Sequence, residues 1–147
     1  MSKYNFGTNN SKQKFEDILN EYEDYKFDET NILKASNLSS NLWHLSDWTF
    51  KEQSNFDNLG DFRDHLYSQC DSLKFFHDIA NASKHKDVSR PKAKINTTKK
   101  YIGDFSNEFD RNDFDVSKLI IELEDGEILD LYEEIEKVVN FWKKYLN

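Results

Sequence analysis

Cysteine is nearly absent from this chain: Cys70 stands alone among 147 residues. An internal disulfide is therefore excluded, and a lone thiol reads as a small buried hydrophobe in a reducing compartment. Proline and glycine are scarce too, at one and four copies, which disfavours a many-stranded sandwich or barrel and favours long regular elements. No window approaches the ~20 apolar residues of a membrane span. Met1 to Asn10 carries neither a basic segment followed by an apolar run nor a small-residue cleavage site. The chain reads as cytoplasmic, with no membrane partner. The four histidines show no close HxxxH or HxH spacing, and no Gly-rich phosphate loop, GxSxG elbow or dinucleotide fingerprint occurs, so neither a metal nor a cofactor is expected.

Aromatic bulk and charge fill the space these absences leave. Aromatic residues make up 15% of the chain and charged residues 33%, with a net charge of -8. The rings supply a packed core, and a domain of this length buries roughly two-thirds of the surface its unfolded chain exposes. The negative total disfavours binding nucleic acid with the whole surface, but the charge is unevenly placed.

Periodicity predicts a mainly α single domain, a bundle of about five helices with an antiparallel β-hairpin or small meander inserted before the last. Phe15, Ile18, Leu19, Tyr22 and Tyr25 set an amphipathic helix over 11–26. Ala35, Leu38, Leu42 and Leu45 set a second over 30–48, from which Trp43 and Trp48 project on other sides, as befits a helix enclosed by neighbours. Residues 49–56 read as a loop, with Asp57 or Asn58 capping a third helix over 58–69. Asp71 and Ser72 then favour a break before a fourth over 71–84. Lysines and the only proline, Pro91, mark 85–100 as a basic loop. Alternating residues give strands over 101–109, 117–124 and 127–129, with Asp125-Gly126 as a tight turn where both residues favour positive φ. Asn112 to Asp115 is the expected mobile tip. Asp130 and Glu133 have capping-box spacing ahead of a final helix over 131–146.

The fourth helix carries more polar groups than packing needs. Lys74, Asp78, Asn81 and His85 fall on one stripe beside the apolar face of Leu73, Phe76 and Ala80, while His77 lies close to that face and reads as a core histidine with a hydrogen-bond partner. Trp43, His44 and Asp47 on the second helix are the expected neighbours of this stripe. A carboxylate from Asp78 or Asp47 that fixed the tautomer of His85 would equip it for general acid/base work. The bland alternative is that these groups only hydrogen-bond across helices. Beyond the stripe, Lys84, Lys86, Arg90, Lys92 and Lys94 form a basic run able to hold a phosphate backbone, with Tyr101 available for stacking. An acidic block from Asp104 to Glu136 is either a charged edge that deters aggregation or a surface that pairs with a basic protein partner or a second copy of the chain.

The run Asp78-Ile79-Ala80-Asn81-Ala82-Ser83-Lys84-His85 resembles small bacterial and phage-borne helical domains with an Asp-Ile-Ala-Asn-x-x-Lys-His signature, which in turn resemble the HEPN superfamily. The resemblance is close from Phe76 to Lys86 and loose over the other helices. It implies RNA binding or RNA cleavage in bacterial defence and toxin systems, through an arginine and a histidine four to six residues apart on one helix. His85 takes the histidine's place, with Asn81 beside it. No arginine lies four to six residues before His85, so the group that would stabilise charge on the phosphate is missing. The leading expectation is thus a non-catalytic HEPN-like module that contacts RNA or a protein. The alternatives are a metal-independent ribonuclease using His85, and an acidic-surface inhibitor or assembly protein.

Overall fold

A computed structural model describes residues 4, 6–104, 111 and 115–147. Among them the chain forms α1 (Ser11–Lys26), α2 (Ile32–Glu52), α3 (Leu59–Gln69), α4 (Leu73–His85), β1 (Ile95–Tyr101), β2 (Lys118–Leu123), β3 (Ile128–Asp130) and α5 (Leu131–Tyr145). It is a mainly α bundle with a three-stranded antiparallel sheet, in the order β1-β2-β3, ahead of the last helix.

Asparagine starts three of the helices. The side chains of Asn10, Asn31 and Asn58 accept from the amides of Gln13, Lys34 and Asp61, each three residues on, which pairs a donor the first helical turn leaves free. The break between α3 and α4 falls at Cys70, whose extended backbone cannot continue the helix. Ser72 sits at the start of α4 without capping it, since its hydroxyl donates instead to the buried carboxylate of Glu134 on α5.

Helix α2 runs to Glu52, past the expected end at 48. The hydroxyl of Thr49 donates to the carbonyls of Leu45 and Ser46, and Phe50 packs against Phe62 of α3, so both side chains are satisfied inside a helical turn. The helix touches α1, α3, α4 and α5 and buries Leu38, Leu42, Trp43 and Leu45. Enclosure explains tryptophans on more than one side. From α5, the indole of Trp142 donates to the carbonyl of Leu42 at 3.0 Å.

The sheet departs from expectation at its first strand. β1 occupies Ile95–Tyr101, all but Tyr101 inside the segment read as basic loop, and Ile102 to Asp104 are not strand; Phe105 to Phe109 of the expected strand lie outside the described residues. Lys99 and Lys100 mask a β-branched run, Ile95, Thr97 and Thr98, that pairs with β2 through Leu123, Glu122 and Ile121. Lysines are ordinary on an outer strand, where charge discourages a further strand from adding. In the β2–β3 turn only Gly126 has positive φ, at 92°, and the amide of Gly126 donates to the carbonyl of Leu123; this is a loop closed by a glycine bulge, not a two-residue turn. Of the expected mobile tip, Asn112 to Phe114 lie outside the described residues. Asp130 ends β3 and caps α5 by accepting from Tyr132, without a described bond from Glu133.

Leu119 and Ile121 of β2 turn into a core shared with Leu131, Ile135, Val138 and Trp142 of α5. Arg111 joins this body: it pairs with Glu29 after α1 and Asp130 before α5, and its guanidinium lies 4.3 Å from the ring centre of Tyr132.

Candidate functional site

Helices α2 and α4 run antiparallel, since Ser36 meets Ser83 at 2.9 Å and, further along α2, Trp43 stacks on His77 near the middle of α4. This register distributes the polar stripe. Asp47 faces the start of α4, whereas His85 ends it, roughly 18 Å away at 1.5 Å per residue. Asp47 therefore does not orient His85. It pairs instead with Arg63 of α3 at 3.0 Å.

Asp78 has a different task. It is 4% exposed, and its carboxylate accepts from the backbone amide of Lys92 at 2.9 Å and of Ala93 at 2.8 Å. Those bonds fasten the segment between α4 and β1 back onto the helix. A carboxylate so engaged belongs to the scaffold, and among the described residues no carboxylate bonds to His85. Lys74 pairs with Asp71 at 2.8 Å and is likewise occupied. The stripe thus divides: Lys74 pairs with Asp71 at the start of the helix and Asp78 holds backbone amides, while Asn81 and His85 open onto solvent.

What they open onto is a cleft of about 590 Å³ lined by His77, Asn81 and His85 from α4 and by the returning segment, including Ser89, Arg90 and Lys92. Asp87 is its one carboxylate. The cations Lys84, Lys86, Arg90, Lys92 and Lys94 are exposed, and none forms a salt bridge among the described residues. Lys84 and His85 also sit in the last turn of α4, where positive charge offsets the negative end of the helix dipole.

Behind the cleft stands a stack of rings. His77, 8% exposed, lies 4.4 Å from Trp43 centre to centre, and Arg63 covers Trp43 at 5.1 Å. The Nδ1 of His77 meets the Tyr67 hydroxyl at 2.5 Å. Burial, assisted by Arg63, lowers the His77 pKa to about 4, and burial raises that of Tyr67. The phenol thus keeps its proton and donates it to a neutral imidazole. Trp43 is 3% exposed and serves as backing, not as an open stacking platform. His44 is exposed on α2, outside the residues that line the cleft. Tyr101 is at the far end of β1, its hydroxyl donating to Asp115 at 2.6 Å, and is not among the residues that line the cleft.

Sequence reasoning missed Arg63. Its partners, Asp47 and Trp43, come from α2, and no local spacing signals a guanidinium that reaches its site from another helix. The acidic block is partly neutralised from within, Glu122 by Lys99 and Asp130 by Arg111; Glu108, Asp110 and Asp113 lie outside the described residues. Among the described residues, no group of three or more histidine, cysteine or acidic side chains suited to a metal occurs, and no helix is long and apolar enough to cross a membrane. No family model matches the chain, and neither a curated protein nor a solved structure matches it.

Proposed function

We propose that this chain is a non-catalytic binding module for single-stranded RNA, working in the cytoplasm, with the cleft at the end of α4 as its contact surface. The observation that carries this reading is the union of exposed, unpaired cations with hydrogen-bonding side chains in one concave place: Arg90, Lys92 and His85 beside Asn81. A guanidinium and an ammonium suit phosphate oxygens, and an amide that both donates and accepts suits a base edge. The likeness of Asp78 to His85 to HEPN-type bundles supports RNA as the ligand and a bacterial defence, toxin or phage setting. Cleavage is disfavoured because Asp78 and Asp47, the carboxylates proposed to activate His85, are engaged elsewhere.

The test is a titration of labelled single-stranded RNA at several salt concentrations. Wild type should bind at low salt with an affinity that falls steeply as salt rises, and Arg90→Glu with Lys92→Glu should weaken it at least tenfold. Absence of binding by the wild type at low salt removes the reading.

A further inference from the structure

Of the side chains that line the cleft at the end of α4, His77 alone is buried, and the fold uses only one of its two ring nitrogens. Nδ1 is taken by the Tyr67 hydroxyl. Nε2, which then carries the proton, has no hydrogen-bond partner among the described residues. It is not sealed either: the polar side-chain atoms that are both cut off from solvent and unpaired belong to Ser11, Tyr25, Ser39, Ser46 and Arg63. A nitrogen that is neither bonded nor sealed is open, and the space His77 borders is the cleft.

The character of this N–H is fixed by its surroundings. Trp43 holds the ring face, Tyr67 holds Nδ1, and burial keeps the imidazole neutral. Nε2 therefore donates and cannot accept. One turn further along α4 and on the same side, Asn81 enters the same cleft with an amide that both donates and accepts. Side chains so spaced stand about 5–6 Å apart at Cβ, close enough to converge on one small group. The cations Arg90 and Lys92 lie on the returning segment, so the cleft is divided: charge at its mouth, a neutral donor and an amide at its back.

A phosphate has no use for such a back wall, but a base does. Each RNA base carries an acceptor next to a donor on its pairing edge, and in a single strand that edge is free. A volume of about 590 Å³ is within the range of sites that enclose small ligands. We infer that the back of the cleft takes the pairing edge of one unpaired nucleobase, with an acceptor of the base on the Nε2–H of His77 and its neighbouring group on Asn81. The inference deepens the RNA reading and rests on it. It makes His77 a residue that selects single strands, because a base already paired has no edge to offer.

The test compares a labelled single-stranded oligoribonucleotide with an abasic ribose-phosphate strand of the same length, at one low salt concentration. Wild type should bind the strand with bases at least tenfold more tightly, as expected for two added hydrogen bonds. His77→Phe keeps a ring against Trp43 and removes the N–H; it should lower affinity for the strand with bases about fivefold and leave the abasic strand's affinity unchanged, the latter also reporting that the cleft is intact. In isotope-labelled wild type, the Nε2–H signal of His77 should move on addition of the strand with bases and stay in place with the abasic one, a readout that needs no variant to fold. Equal affinity for the two strands, a His77 signal indifferent to the bases, or an unweakened His77→Phe overturns the inference and leaves the RNA reading standing. Failure of wild type to bind either strand removes both.

Discussion

The imidazole of His77 and the indole of Trp43 lie in a near-parallel stack, 4.4 Å apart with planes within 13°. A ring held between an indole and a phenol donor is fixed in both orientation and tautomer, with Nδ1 as acceptor and the proton left on Nε2. The back wall of the cleft is therefore neutral and rigid, and its positive charge comes from the mouth.

That neutrality sets a pH dependence. The folded-state pKa of His77, about 4, lies below its ordinary value of 6.5, through burial and then the nearby Arg63. The unfolded chain thus takes up a proton near pH 6.5 that the folded chain refuses until about pH 4. The associated stability is complete above pH 6.5 and is lost as pH falls between these values, by about 3 kcal/mol at most. Urea unfolding of wild type and His77→Gln at pH 7.5 and pH 5 should show a smaller difference between the two pH values in the variant. An NMR titration should leave the His77 ring signals unmoved from pH 8 to pH 5.

Asp78 anchors the segment that supplies Arg90 and Lys92. Asp78→Ala strips the acceptor from the amides of Lys92 and Ala93 and should cost about 2–3 kcal/mol. Asp78→Asn, which keeps one acceptor oxygen, should cost less. Hydrogen exchange should quicken at those two amides in the alanine variant. If exchange there is unchanged, the carboxylate is not what holds the segment down.

The helices were legible because their signals are local: Phe15, Ile18, Tyr22 and Tyr25 recur at helical spacing, and Asn58 stands where a cap is needed. β1 was obscured because lysine on an outer strand looks like lysine in a loop. For the site, the stripe showed that Asn81 and His85 share a side of α4, and they do line one cleft. It did not show that Asp78 beside them serves backbone amides fourteen and fifteen residues on. Which polar groups are spent on the fold depends on long-range partners, and periodicity within one helix is blind to those.

Arg111 compensates two largely buried carboxylates at once, Glu29 and Asp130. Arg111→Met should cost about 3–5 kcal/mol at neutral pH, since both acids are left without their cation. The cost should shrink in acid. Burial already raises the Glu29 pKa and Arg111 opposes that rise, so without the arginine the penalty grows as pH climbs past the ordinary carboxylate value of 4.5. Thermal unfolding at pH 4 and pH 7 checks the sign: the deficit of the variant should be larger at pH 7.

Lys86 follows α4 with φ 70° and ψ -54°, and around it the amide of Asp87 donates to the carbonyl of His85 at 2.8 Å. This is the γ-turn of the rarer hand, which strains any side chain-bearing residue by about 1–3 kcal/mol. Glycine at the position relieves the strain but loosens the unfolded chain, so Lys86→Gly should raise stability by about 1 kcal/mol net. The same change removes one cation beside the cleft, so RNA affinity should fall modestly and its salt dependence should become shallower. Lys86→Ala separates the two effects: it loses the same charge but keeps a Cβ, and should weaken RNA binding equally without the gain in urea midpoint. Equal urea midpoints for the glycine and alanine variants would mean that the turn is not under strain.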